Sequence, residues 1–213
     1  VEHELIKNNP CFKMENRLIL DKINWENKTV IIDGKQWQLN STEMPTVNKN
    51  TPWQLNEDEI QVLSRLKYSF VHCEKLQKHV RFLYKNGSLY KVFNGNLLYH
   101  GCMPVDEKGR FLEADIYGKK CSGKSLDDEL ESWARKGYFS KEGSNEKEKG
   151  GNILWYLWEG PLSPLFGKQK MAVFENMFID DKKASLETKN HYYDEVDDLE
   201  VVERIMMEFG VDA

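Results

Sequence analysis

From Asn56 onward the apolar residues of this chain recur at intervals of three and four: Ile60, Leu63, Leu66, Phe70, Cys73, Leu76, Val80 and Leu83. That spacing puts them on one face of an α-helix, and no other stretch of the chain is so regular. Asn56 followed by Glu59 reads as a capping box. The helix is predicted to run to about Tyr84, before Asn86-Gly87 ends it. The chain has 213 residues, enough for a substantial core in one domain, or one domain plus an appendage. Six Trp and ten Phe argue for burial and against disorder, although 31% of the residues are charged.

Other elements can be placed around this stripe. Glu15 to Ile23 reads as a short helix. Thr29 to Ile32 and Lys35 to Leu39 flank Asp33-Gly34, a pair that supplies the positive φ angles of a tight hairpin turn. Residues 41–54, with Pro45 and Pro52, read as a surface connection. Ser88 to Phe93 and Asn96 to Cys102 flank a second hairpin pair, Asn94-Gly95. Phe111 to Tyr117 alternates like a half-exposed strand, and Ser125 to Lys136 carries Leu126, Leu130 and Trp133 on one helical face. Residues 140–151 are low in complexity and are predicted to form a mobile loop. Further helices are predicted from Lys168 to Phe178 and from Glu195 to Glu208, the latter stopped by Gly210. The fold class expected is mixed α/β (α+β). The division expected is residues 1–54 as a helix-plus-hairpin insertion and 55–213 as the larger part.

Composition excludes several functions. The formal net charge is −5 and no basic patch dominates, which argues against nucleic acid or an anionic membrane as partner. No apolar run approaches the length of a membrane span. The opening Val1-Glu2-His3-Glu4 lacks the basic start and apolar stretch of a signal peptide. Cys11, Cys73, Cys102 and Cys121 form neither a C-x-x-C pair nor a zinc-finger pattern, so four reduced thiols in a cytoplasmic protein are expected.

One nucleotide-binding signature is present. Gly118-Lys119-Lys120-Cys121-Ser122-Gly123-Lys124-Ser125 fits G-x-x-x-x-G-K-[ST], in which Gly123, Lys124 and Ser125 would serve a phosphate chain and its magnesium. The preceding strand argues against it. A parallel-sheet strand should be apolar throughout, whereas Glu113 and Asp115 alternate here. The later strand ending in a metal-binding Asp is also missing, since Met177 to Asp180 sits in a helical pattern. The match is read as a coincidence.

The second signal is Asn94-Gly95-Asn96-Leu97-Leu98-Tyr99-His100-Gly101-Cys102-Met103-Pro104, an apolar strand closed by His-Gly. It is preceded by Glu74 to Tyr84. Leu154-Trp155-Tyr156-Leu157-Trp158 and Ser163-Pro164-Leu165-Phe166-Gly167-Lys168 follow it. Together with Glu15 to Ile23, these segments resemble the central part of class III fructose-1,6-bisphosphatases, large bacterial members of the calcineurin-like metallophosphatase superfamily. The resemblance covers nearly the whole chain.

The resemblance implies a metal-dependent phosphomonoester hydrolase of gluconeogenesis, with fructose 1,6-bisphosphate as substrate. It implies part of a β-sandwich flanked by helices, and two divalent ions, with manganese expected and magnesium or iron suited to the same ligands. It makes His100 a metal ligand. The family's other ligand motifs (Asp-x-His, G-D-x-x-D-R-G, G-N-H-[DE] and a late G-H pair) are absent here. The chain is therefore expected to be an internal piece, silent alone and completed by the remainder of the same polypeptide; a homo-oligomer is compatible with it. Lys75, Lys78 and Arg81, together with Lys168 at an expected helix start, are candidate phosphate contacts. His72 and His79, two turns apart on one predicted helix, are too distant to share an ion. The rival expectation is a non-catalytic binding module for a nucleotide or a protein.

Overall fold

The computed structural model describes residues 2–211. In chain order its elements are α1 (Glu2–Asn8), β1 (Ile23–Asn24), β2 (Thr29–Ile32), β3 (Lys35–Gln38), α2 (Glu57–Val71), α3 (Glu74–Asn86), β4 (Tyr90–Phe93), β5 (Asn96–Tyr99), β6 (Ala114–Ile116), β7 (Lys119–Cys121), α4 (Gly123–Phe139), α5 (Asn145–Glu159), α6 (Val173–Phe178), α7 (Tyr192–Glu195) and α8 (Leu199–Glu208). Helix and strand are mixed, as the sequence predicts. The strands form three small antiparallel sheets, β1-β2-β3, β4-β5 and β6-β7, so the described residues hold no extended β-sandwich. None of the described helices is long and apolar enough to cross a membrane.

The described residues fall into two compact units. One comprises residues 16–87 and 172–186; the other comprises 2–15, 88–171 and 187–211. The division thus does not fall at residue 54.

In the first unit, β2 and β3 turn at Asp33-Gly34, whose φ angles of 52° and 74° are those of a type I′ hairpin. Alternation decides the buried face: Val30 and Ile32 are buried while Ile31 between them is 51% exposed. Ile23, Leu39, Ile179 and Ala184 complete that core. Asn40 fastens the 172–186 segment to the sheet, its N–H donating to the Phe178 carbonyl (2.9 Å) and its side chain to Asp180 Oδ1 (2.9 Å). Glu15 to Ile23 forms two 3-10 turns, Glu15–Arg17 and Leu20–Lys22, rather than one short α-helix.

The long stripe becomes two helices instead of one. The Asn56–Glu59 capping box is present, with Glu59 N–H donating to Asn56 Oδ1 (2.8 Å) and Asn56 N–H to Glu59 Oε2 (2.9 Å). Helix α2 stops at Val71, where the His72 N–H donates to the Tyr68 carbonyl (3.0 Å) and the ring Nδ1 bonds the same oxygen (2.8 Å). Cys73 is extended, and α3 restarts at Glu74. His72 and His79 therefore do not share a helix. No residue of α2 or α3 is buried.

In the second unit, the β4–β5 hairpin turns at Asn94-Gly95 with φ angles of 50° and 72°. Helices α4 and α5 bury Leu126, Leu130 and Ile153 completely. Their closest approach is glycine on glycine: a Cβ on Gly150 would strike the Gly137 Cα, and one on Gly137 would lie 2.5 Å from the Gly150 Cα. This corrects the loop expected over 140–151. Ser144 caps α5, its Oγ accepting from Lys147 N–H (3.2 Å), and residues 145–151 are helical despite their polarity. The contact with Gly137 is what holds those two turns in place.

Helix α8 begins at Asp198, whose carboxylate accepts from Glu200 and Val201 N–H. It ends as expected at Gly210 (φ 70°), with Gly210 N–H donating to Met207 O (3.0 Å) and Val211 N–H to Met206 O (2.9 Å). Val201, Ile205 and Phe209 pack with Cys102, Met103, Val105 and Tyr192 in one core cluster. The helix expected from Lys168 to Phe178 begins only at Val173. Lys168 instead forms an antiparallel bridge with Lys189, and Gln169 N–H donates to the Thr188 carbonyl.

Candidate functional site

The turn after β5 carries His100, and three chain segments lock it. Gly101 takes φ 102°, a conformation open to glycine and costly for other residues. A Cβ there would strike the Pro164 carbonyl oxygen and stand 3.1 Å from Leu165 Cα. The glycine is therefore required by the neighbouring Ser163-Pro164-Leu165 turn. Cys102 N–H donates to that same Pro164 oxygen (2.8 Å). The opposing turn is itself braced: Ser163, fully buried, donates from Oγ to the Leu157 carbonyl (2.6 Å) and accepts from Leu165 N–H (3.1 Å).

The third segment enters through Asn190, which is 3% exposed. Its Oδ1 accepts from Val105 N–H (3.1 Å) and Tyr192 N–H (2.9 Å), and its own N–H donates to the Gly167 carbonyl (2.9 Å). Tyr99 and Tyr192 share a hydrogen bond between their hydroxyls (2.7 Å). Two motifs read separately in the sequence, Leu98-Tyr99-His100-Gly101 and Ser163-Pro164-Leu165-Phe166-Gly167, are thus one structure. Asn190, which joins them, carried no sequence signal of function.

With its neighbours anchored, the His100 side chain is exposed and makes no hydrogen bond or ion pair among the described residues. Both ring nitrogens are therefore open to a ligand from outside the described residues. The rest of a centre is missing here: among the described residues no three His, Cys, Asp or Glu groups gather as a metal would need.

Beneath the turn lie two buried groups. The Cys102 thiol is pushed up to about 12 by burial and, behind it, the Asp127 charge. That keeps it a protonated, inert thiol and not a nucleophile. Asp127, on α4, is 1% exposed, and neither carboxylate oxygen has a hydrogen-bond partner. Burial first, then Asp128 and Glu131, push its carboxyl up to about 7.

The other candidate residues are placed differently. Lys75, Lys78 and Arg81 are exposed on α3, in the first unit, and form no ion pair among the described residues. Lys168 opens no helix, and its Nζ pairs with Glu187 Oε2 at 2.6 Å.

The G-x-x-x-x-G-K-S stretch is not a phosphate cradle. Tyr117 and Gly118 form the turn of the β6–β7 hairpin with φ angles of 54° and 89°, and Lys119–Cys121 is a paired strand. Gly123 starts α4, where the Glu208 carboxylate already accepts from Lys124 N–H (3.2 Å). Lys124 Nζ pairs with Asp128 (2.6 Å), and the Ser125 hydroxyl donates to the Ser122 carbonyl (2.7 Å). A carboxylate sits where a phosphate would be needed.

Comparison with known proteins fits the second signal, the strand closed by His100-Gly101. A family model described as Firmicute fructose-1,6-bisphosphatase matches residues 1–213, the whole chain. Fructose-1,6-bisphosphatase class 3 of Clostridium acetobutylicum is 49% identical over 213 residues, covering 100% of this chain and 32% of that protein. The class 3 proteins of Clostridium botulinum strain Alaska E43 and of Clostridium tetani are 47% and 46% identical, each again 32% covered. No solved structure matches the chain. The chain, spanning about a third of the length of the curated relatives it matches, belongs to the Firmicute fructose-1,6-bisphosphatase family.

Proposed function

We propose that the chain is part of a cytoplasmic phosphomonoester hydrolase of gluconeogenesis that converts fructose 1,6-bisphosphate to fructose 6-phosphate and inorganic phosphate. Family membership supports the reaction. The observation that carries the chain's own role is His100, an exposed imidazole with no partner among the described residues, on a turn locked by Gly101, Pro164 and Asn190. His100 would hold one of two divalent ions, manganese foremost, with a ring nitrogen. Such ions neutralise phosphate oxygens and make hydroxide available near neutral pH. The remaining ligands belong to the remainder of the polypeptide.

The residues of this chain supply orientation. Gly101 and Cys102 are fixed against Pro164, so the imidazole is presented at low entropic cost. The neutral Cys102 thiol adds no charge beside it. Lys75, Lys78 and Arg81, free of carboxylate partners in the described residues, are the chain's available cations for a sugar phosphate. Lys168 is a weaker choice because Glu187 already neutralises it.

The test is His100→Ala in the full-length gene product. The expected result is a loss of bound manganese and a fall in phosphate release of ~100-fold or more, with circular dichroism unchanged. Full activity with unchanged metal content would refute the assignment.

A further inference from the structure

The α2 part of the most regular apolar stripe in the sequence is left uncovered, while Leu76 and Val80 of α3 are half-buried. Ile60, Leu63, Leu66 and Phe70 of α2, with Phe82 and Leu83 of α3, have relative exposures from 43% to 70%. Scattered exposed apolar side chains are ordinary; a stripe of them along the capped helix α2, with two more on α3, marks an interaction surface. We propose that the α2–α3 pair is a docking surface for the part of the same polypeptide outside these 213 residues.

Two observations choose that occupant over a second copy of the chain. The first is length. The chain spans 32% of its relatives, so about two-thirds of a family polypeptide lies outside it. The second is the width of the stripe. At about 100° per residue, the apolar side chains of α2 from Val62 through Leu66, Phe70, Leu63 and Ile60 to Val71 cover about half the helix circumference. Copies paired as a two-stranded coiled coil would use a narrow two-position seam, whereas a helix set into a globular core needs a wide face. Cys73, exposed at the junction of the two helices, reports on whatever covers them. The docking surface is independent of the metal assignment at His100.

The experiment is thiol alkylation of the full-length gene product, read at Cys73 by mass spectrometry. It is combined with lysine cross-linking of a mixture of isotopically light and heavy protein. Native Cys73 is expected to react at least ~100-fold more slowly than in urea, at all protein concentrations, as for a group released only by opening. Cross-links from Lys67 and Lys78 are expected within one molecule, to lysines outside residues 1–213. Three results would each overturn the proposal: native Cys73 reacting as fast as denatured, protection lost on dilution with mixed-isotope cross-links (a second copy), or a gene product no longer than this chain. Retained phosphate release alongside a reactive Cys73 would sink the docking surface alone. Phe70→Glu should open Cys73 to alkylation; where that variant does not fold, the wild-type rates still decide.

Discussion

Helices α4 and α5 bury Leu126, Leu130 and Ile153 to 0% exposure, whereas α2 and α3 bury no residue at all. Both pairs are amphipathic, and both contain a helix begun by a side-chain cap. The more regular stripe belongs to the uncovered pair. Periodicity therefore specifies a helix and the face it will bury, but not the partner. In α4–α5 the partner is supplied within the chain, because glycines at 137 and 150 let the two backbones meet. In α2–α3 nothing in the described residues plays that part.

The largest expected effect lies on the buried side. Gly150→Leu forces a side chain into the Gly137 backbone and should cost at least ~3 kcal/mol, the upper end for overpacking, read as a lowered Tm. Gly151→Ala is the control. A Cβ there meets nothing within 4 Å, so the substitution should be neutral or stabilise by ~0.5–1 kcal/mol. Equal losses from both would break the account of the glycine contact.

Asp127 comes next, since it is the uncompensated group of the buried pair. Its carboxyl titrates at about 7 when folded, well above the ordinary carboxylate range. The unfolded chain gives up that proton near pH 4, so this group's contribution to stability is highest below about 4, falls as pH rises to about 7, and is flat above that. Asp127→Asn cannot ionise. It should match wild type near pH 4 and exceed it at pH 8 by on the order of 2 kcal/mol, less than the full displacement at about 1.4 per unit. Denaturant unfolding at the two pH values checks this, and a difference constant with pH would contradict it.

Gly101→Ala should cost ~1–3 kcal/mol through its positive φ and the Pro164 carbonyl, and should lower metal retention in the full-length protein by displacing His100. The smallest effect belongs to the uncovered pair. Phe70→Ser in the purified 213-residue chain should shift stability by no more than ~0.5 kcal/mol, as at an exposed site. In the full-length protein the same change should cost several times more if the face is covered there.

Much of the local structure was legible in the sequence. Asp33-Gly34 and Asn94-Gly95 form their turns as read because their positive φ angles are a local property. The Asn56–Glu59 box and the Gly210 stop are equally local. The misses have a common cause. The break at His72-Cys73 contains neither Gly nor Pro, and a two-residue interruption leaves the apolar rhythm readable across it. Residues 145–151 looked too polar to fold, yet Gly150 is ordered by Gly137, a contact no local pattern announces. Tyr117-Gly118 is a third hairpin turn whose glycine also opened a phosphate-loop signature, and the two readings separate only once β7 is seen to pair with β6.

At the site the same limit applies. His100 and Gly101 were readable as a strand-end pair. Asn190 and Asp127, which brace or underlie that turn, act across long stretches of chain and gave no signal. Gly101 makes room for the Pro164 carbonyl, a neighbour more than sixty residues away that no local pattern announces.

The central claim is that this chain presents one ligand of a catalytic centre it cannot complete. Its most direct test is phosphate release from fructose 1,6-bisphosphate by the purified 213-residue chain in saturating manganese. The account predicts no release above buffer. Manganese-dependent turnover by the chain alone would contradict it.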